Sequence, residues 1–332
     1  MVLGGLAMRR LIEEVFLATF DTPELASMED QARLPLGDVI ASGDRLAFTT
    51  DSYVIDPLEF PGGNIGALAV NGTVNDLAVG GASPLYLSCG FIIEEGLPLE
   101  QLRRIVEAMR DAAEQAEVRI VTGDTKVVPH GKGDKLFINT SGIGVIAPGV
   151  ELAAHRCRPG DRVIVSGTVG DHGAAVLQAR EDLALEGGLL SDCRSLSGLV
   201  RDMLSTGADI RAMRDATRGG VAAVVHEFSS ASGRAIRLFE DRLPVRPEVR
   251  GVCEILGLDA LHFANEGKLV AVVAAAQANW LVARMRQHPA GRDACVIGEV
   301  LPDVSVQVRL RTLMGGERLL DLPVGELLPR IC

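Results

Sequence analysis

The sequence predicts an α/β protein of two domains with a short tail, and three observations carry that prediction. Apolar residues make up 47% of its 332 residues, enough for sizeable cores and a length that suits about two domains. Aromatic residues supply only 4% while glycine numbers 37, so packing rests on Val, Leu, Ile and Ala, with many turns that need glycine. A succession of strand, glycine-rich turn and helix occurs in both halves.

In chain order, residues 44–51, "DRLAFTTD", read as a strand ending at Asp51. The stretch "NIGALAVNGTVNDLAVGGA" reads as a helix of small residues that lets backbones approach closely. In "LEQLRRIVEAMRDAAEQA", Leu102, Val106 and Met109 have the spacing of an amphipathic helix. "EVRIVTGDTK" reads as a strand opening into a Gly-Asp loop, and the "APGV" turn closes a first domain at residues 1–150. A second domain, residues 151–316, begins with "PGDRVIVSGTVGDHGAAVLQAR". It continues through "DATRGGVAAVVHEFSSASG", a polar loop and a helix ended near Gly233, and "FANEGKLVAVV", a loop feeding an apolar strand. From Glu317 onward, Pro323 and Pro329 exclude a regular helix, so residues 317–332 are expected to form an extended tail that tethers Cys332.

Several function classes are excluded. A formal charge of -11 argues against capture of nucleic acid, which depends on clustered Lys and Arg. The opening "MVLGGLAMRRLIEEVF" has no signal-peptide apolar region, and the longest apolar runs, such as "LVAVVAAA" from Leu269, are too short for a membrane span. The expected location is the cytoplasm. Cys89, Cys157, Cys193, Cys253, Cys295 and Cys332 are far apart, with no CxxC pair, so neither a zinc site nor structural disulfides are expected.

Nothing fits the GxxxxGK[ST] pattern of a P-loop, and no protein-kinase signature set is present. "GIGVIA", from Gly142 to Ala147, matches GxGxxA formally, but "PGV" follows it in place of a helix and a turn is the better reading. More informative are five aspartates expected in glycine-rich or strand-end loops: Asp51, Asp76, Asp124, Asp171 and Asp215. Each alone reads as a turn former or helix cap. Together they supply the oxygen ligands that magnesium and a nucleoside triphosphate require where no P-loop exists. Lys126 reads equally as a cation for a transferring phosphoryl group or as a surface partner of Asp124. Glu266 in "ANEGKL" stands just before an apolar strand, where its pKa can rise to suit base chemistry; a solvated loop glutamate is the alternative. The six histidines form no spaced cluster, and only His172 lies inside a candidate phosphate loop. Cys332 is last rather than fourth from the end, which excludes prenylation and leaves a thiol carrier or a plain tail cysteine.

These motifs occur together in a known order: "TDSYVIDPLEFPGGNIG", "VNDLAVGGA", "YLSCGFIIEEGLP", "VTGDTKVV", "LFINTSG", "SGTVGDHG", "DATRGGV", "FANEGKL" and the terminal "LPRIC". From about residue 3 to the end the chain resembles the HypE family of hydrogenase maturation proteins. That family belongs to the PurM-like ATP enzymes, with aminoimidazole ribonucleotide synthetase and selenophosphate synthetase. The likeness departs at the start, where only Gly4 and Gly5 stand in place of a longer glycine-rich stretch. The resemblance implies a two-domain α/β fold and a homodimer built through the N-terminal domains. It also implies ATP and Mg2+ as cofactors, the carbamoyltransferase HypF as a partner, and a HypC-HypD complex as cyanide acceptor. The terminal cysteine would receive a carbamoyl group and the chain would dehydrate it to a thiocyanate with ATP, supplying cyanide for nickel-iron hydrogenase. By the same resemblance Asp51, Asp76 and Asp124 are magnesium and ATP ligands, Asp215 and Arg218 lie near the phosphates, and Lys126 and Glu266 flank the thiocarbamate on Cys332. Two other readings stand beside it. A selenophosphate-forming enzyme needs a reactive Cys or selenocysteine near the N-terminus, and the first 88 residues contain none; a non-catalytic carrier would present Cys332 without hydrolysing ATP.

Overall fold

A helix with almost no polar surface needs cover on every side, and the fold is arranged around one. The computed structural model describes residues 6–27, 31–41, 43–180, 188–322 and 331. In the first half the strands are β1 (Arg45–Tyr53), β2 (Glu59–Phe60), β3 (Gly63–Asn64), β4 (Ala82–Glu94), β5 (Arg119–Val128) and β6 (Leu136–Ile146). β2 and β3 pair with each other, while the rest form a sheet in the order β1-β6-β4-β5. One face of that sheet carries α1 (Ile65–Val79) and α2 (Leu99–Gln115). The Asn64 side chain caps α1 by accepting from the amides of Gly66 and Ala67 at 2.9 and 3.0 Å. α2 buries Leu102, Ile105, Val106, Met109, Ala112 and Ala113, the stripe its spacing predicted.

α1 is buried along nearly its whole length because its glycines remove the side chains that would hold neighbours off. A Cβ on Gly66 would lie 2.2 Å from the Ile105 carbonyl oxygen, and one on Gly72 would lie 2.3 Å from Tyr53 Oη.

The second half holds β7 (Arg162–Val165), β8 (Ile210–Asp215), β9 (Ile236–Phe239), β10 (Leu269–Val273), β11 (Cys295–Val300), β12 (Val308–Arg311) and β13 (Glu317–Leu319). They form one sheet in the order β13-β12-β9-β11-β7-β10-β8, antiparallel except where β12 pairs with β9. Its helices are α3 (Asp171–Arg180), α4 (Ser197–Ser205), α5 (Gly220–Ser232), α6 (Pro247–Leu256) and α7 (Ala275–Met285). In β10, Val270 and Val272 pack with Phe228 of α5, while Leu269, Ala271 and Val273 pack with Leu199 of α4 and Leu281 of α7. A sheet covered on both faces explains the unbroken apolar run "LVAVV". α5 ends at Gly233, whose φ of +64° is left-handed.

Three local expectations are corrected. Asp51, Asp76 and Asp124 were expected in loops; they lie inside β1, α1 and β5. Gly123 marks a close approach rather than a turn, since a Cβ there would sit 2.3 Å from the Cys89 carbonyl oxygen, beside a register shift. "GIGVIA" lies in β6 up to Ile146, and Gly142 makes room for Thr73 and Leu77 of α1. Finally, residues 317–319, assigned to the tail, are β13, joined to β12 through a turn in which Gly315 has φ +83°. Leu320 is buried behind it, and its carbonyl accepts a bond from His226 Nε2.

α1 joins the two halves. Asn75 donates to the Arg194 carbonyl at 3.1 Å and accepts from the Leu196 amide at 2.7 Å, while Ala78 and Val79 enter the core of the second sheet. Because the Gly66 contact is with backbone, Gly66→Ala is expected to destabilise the protein by about 1–3 kcal/mol in urea denaturation; a change below ~0.5 kcal/mol would mean that α1 can shift away from α2.

Candidate active site

Five of the sequence-predicted residues meet in one pocket between the two sheets. β1 contributes Asp51 and, two residues on, Tyr53; α1 contributes Gly72 and Asp76. The end of β8 and the loop after it contribute Asp215, Thr217 and Arg218, and the turn before β10 contributes Glu266. The loops from the second half are fixed by Asn265, which is fully buried. Its Oδ1 accepts from the Gly170 amide at 2.7 Å, and its Nδ2 donates to the carbonyls of Ala216 and Phe263 at 3.0 Å each. The Glu266 amide donates to Asp192 Oδ1 at 3.0 Å, and Lys268 Nζ donates to Asp192 Oδ2 at the same distance.

The electrostatics of the pocket are one-sided. Glu266 is 2% exposed and its Oε1 has no hydrogen-bond partner among the described residues. Burial lifts its pKa well above the carboxylate range, and Asp192, Asp215 and Asp51 add to the rise while Arg218 opposes it. Burial and then Asp76 push Asp215 up to about 7. Asp76 is also raised by burial, against a hydrogen bond from Thr49 Oγ1 at 3.1 Å. The buried Tyr53 hydroxyl, raised by burial and by Asp51, stands 3.2 Å from Thr73 Oγ1, which in turn stands 2.5 Å from Thr140 Oγ1. Several carboxyl groups thus share a space in which each resists ionisation of the next.

Asp124 and Lys126 do not join this pocket within one chain. The register Asp51–Thr140–Cys89–Gly123 runs across the sheet on the face toward α1, where Thr140 Oγ1 donates to the Ala69 carbonyl. Asp124 stands in the next row, so its side chain points to the opposite face, three strand spacings or about 14 Å from β1. It is exposed there and pairs with Lys126 Nζ at 2.9 Å, and this bond, first, with the Thr125 amide, lowers its pKa. Asp171 begins α3, buried, 3.8 Å from Lys268 Nζ. Cys332 lies outside the described residues. The other five cysteines are unpaired, and burial pushes Cys157 and Cys193 up to about 12 and Cys253 to about 11, with Cys89 and Cys295 also raised, so they are poor nucleophiles.

The sequence reading missed Tyr53, Thr217, Asp192 and Lys268. Period-two spacing along a strand was the available signal for one of them, since Tyr53 follows Asp51 by two residues within β1. Asp192 carried none.

Comparison with known proteins places this site in a family. Residues 28–146 match the N-terminal domain, and residues 158–311 the C-terminal domain, of the AIR synthase related proteins. The chain is 56% identical to the carbamoyl dehydratase HypE of Escherichia coli strain K12 over 329 residues, which is 99% of this chain and 97% of that one. A crystal structure of the hydrogenase maturation protein HypE in complex with ATP superimposes with a TM-score of 0.93 at 46% identity, covering 99% of this chain and 98% of that one. A chain of a HypE-HypF complex does so with a TM-score of 0.82 at 48% identity, covering 94% and 99%. Identity at this level over nearly the whole length, on the same pair of domains, makes this chain a member of the HypE family within the AIR synthase related proteins.

Proposed function

We propose that the chain is an ATP-dependent carbamoyl dehydratase that acts on its own terminal cysteine. The observation that carries the reading is the buried Glu266 carboxyl, whose Oε1 has no partner among the described residues, in a pocket it shares with Asp51, Asp76 and Asp215. HypF, acting as carbamoyltransferase, would place the carbamoyl group on Cys332. Its carbonyl oxygen then takes the γ-phosphoryl group of ATP and ADP leaves. Two protons depart from nitrogen and phosphate departs from carbon, leaving the nitrile. Glu266 is assigned the removal of a nitrogen proton: it lines the pocket, and burial raises its pKa, which makes its carboxylate a stronger base. The covalent tether supplies proximity for a fragment with few contacts of its own.

Asp51, Asp76, Asp215 and Arg218 are assigned to ATP. Carboxylate oxygens suit magnesium, and the mutual repulsion of Asp76 and Asp215 is what a divalent cation relieves. Among the described residues no group of three or more His, Cys, Asp or Glu side chains is placed to hold a metal ion. Bound with ATP, magnesium would neutralise charge on the transferring phosphoryl group. Asp124 and Lys126 are assigned to the same chemistry from a second copy of the chain. They stand on the open face of the first sheet, where Lys126 pairs with Ile92, which is 44% exposed; Leu46 and Phe48, 63% and 69% exposed, lie on the same face farther along β1, and a dimer through that face would cover these side chains. A HypC-HypD complex is the proposed cyanide acceptor and the cytoplasm the proposed location; among the described residues no helix is long and apolar enough to cross a membrane.

Peptide mass spectrometry after incubation with HypF, carbamoyl phosphate and ATP is expected to find a nitrile on Cys332, lost in Cys332→Ala with ATP binding retained. Modification at Cys89 or Cys253 instead would overturn the assignment. Glu266→Gln is expected to bind ATP as the wild type does and to form the nitrile about 10²-fold more slowly; a loss of ATP affinity with unchanged chemistry would remove its role as base. Asp215 has a folded pKa of about 7 against an ordinary 3.8, so the folded chain binds the extra proton and stability falls as pH rises between these values. Melting curves of the free protein are expected to show that fall, smaller by on the order of 4 kcal/mol in Asp215→Asn and reduced in the wild type by Mg2+ with ATP. Equal slopes in both proteins would show that Asp215 does not carry the strain.

A further inference from the structure

We infer that His172 and Ser191 form a latch that holds the carbonyl of Ile331 and thereby positions the terminal residue that follows it; the inference rests on the dehydratase reading above. The imidazole of His172 has no exposed surface, its Nε2 lies 2.8 Å from the Ile331 carbonyl oxygen, and its Nδ1 lies 2.8 Å from Ser191 Oγ. The directions of these bonds follow from chemistry. A carbonyl can only accept, so Nε2 carries the proton and donates. Burial lowers the His172 pKa and keeps the ring neutral, so Nδ1 is an acceptor and takes the Ser191 hydroxyl proton. Ser191 Oγ in turn accepts from the Cys193 amide at 3.1 Å. Every group in the chain thereby has a partner of the right kind.

The ring has no freedom to aim elsewhere. Phe60 meets it edge-on, with centroids 5.3 Å apart and planes at 88°, and the Ser191 amide donates to the Pro61 carbonyl at 2.8 Å. Ile331 itself is 3% exposed and shares an apolar cluster with Phe60, Leu58, Ala174 and Leu189. The latch also stands next to the chemistry. Asp192, the neighbour of Ser191, holds the Glu266 amide and Lys268 Nζ. One peptide step of 3.8 Å separates Ile331 from Cys332 along the chain, so fixing the Ile331 carbonyl limits where the thiol can travel. The root of the same segment is fixed too, by the bond from His226 to the Leu320 carbonyl. His172 is on this account a positioning residue, acting through Ile331 and not on the carbamoyl group.

The test reads docking and chemistry separately on the full-length protein. Alkylation of Cys332 by iodoacetamide is followed by peptide mass spectrometry as the modified fraction of the C-terminal peptide over time. His172→Ala is expected to raise the Cys332 rate about fivefold, the population change that loss of one hydrogen bond produces, while ATP affinity stays as in the wild type. His172→Gln, which can still donate from its amide nitrogen, is expected to restore most of the protection. In single turnovers of the carbamoylated protein, His172→Ala is expected to lower the nitrile-forming rate at saturating ATP without raising the ATP concentration for half-maximal rate. Should His172→Ala not fold, Ile331→Ala reads the same docking from the tail and is expected to raise alkylation similarly. If alkylation of Cys332 is unchanged in both His172→Ala and Ile331→Ala, the latch is wrong. If carbamoylated wild type forms no nitrile while the alkylation differences appear, the latch stands and the dehydratase reading fails.

Discussion

The ion pair between Lys268 and Asp192, 3.0 Å apart with both side chains buried, is the contact on which the site depends. It fixes the segment from Ser191 to Leu196, which α1 grips from the other side through Asn71 and Asn75. Asp192 also holds the Glu266 amide, so one carboxylate connects the first domain's helix to the loop that carries the proposed base. Burial alone would raise the Asp192 pKa; Lys268 and the Glu266 amide pull it below the usual range, and it stays ionised. Removing Lys268 would leave the buried Asp192 charge unmatched, at a cost on the order of 3–5 kcal/mol.

That fixed charge divides the labour among neighbouring carboxyl groups. Asp192 is paired and keeps its negative charge; Glu266, without a partner for Oε1 and facing Asp192, Asp215 and Asp51, keeps its proton to higher pH. Environments that push two carboxyl groups apart are how one site holds both a permanent anion and a titrating base. The negative charge of the pocket is opposed by Arg218 and, near Asp76 and Asp215, by Arg214, and the proposed divalent cation would supply further positive charge.

The first sheet works on both faces. Its covered face, through Thr49, Asp51 and Tyr53, forms one wall of the pocket, and α1 lies against it closely enough for Gly72 to touch Tyr53. Its open face holds Asp124 and, two residues on, Lys126, paired with the exposed Ile92. A single chain therefore cannot bring all the sequence-predicted residues together. On the proposed assignment of Asp124 and Lys126, a second copy of the chain would complete the site, which ties the proposed activity to the proposed dimer.

The sequence by itself determined the two-domain α/β class, the small-residue helix at Ile65–Val79, the amphipathic stripe of Leu99–Gln115 and the stop at Gly233, because propensity, period and capping are local properties. It also singled out Asp51, Asp76, Asp215, Arg218 and Glu266 as chemistry-bearing residues. Which of these meet was decided only by the tertiary structure. Asp51 and Asp124 looked alike as acidic residues near strand ends, yet strand order and a one-residue difference in register put them on opposite faces of one sheet. Gly123 read as a turn because a glycine made for close backbone approach looks the same, along one dimension, as one made for bending. Asp192 and His172 were invisible as a pair of anchors, since what defines them is burial against Lys268, Glu266 and Ile331, contacts of long sequence separation that exist only once both sheets are packed around α1.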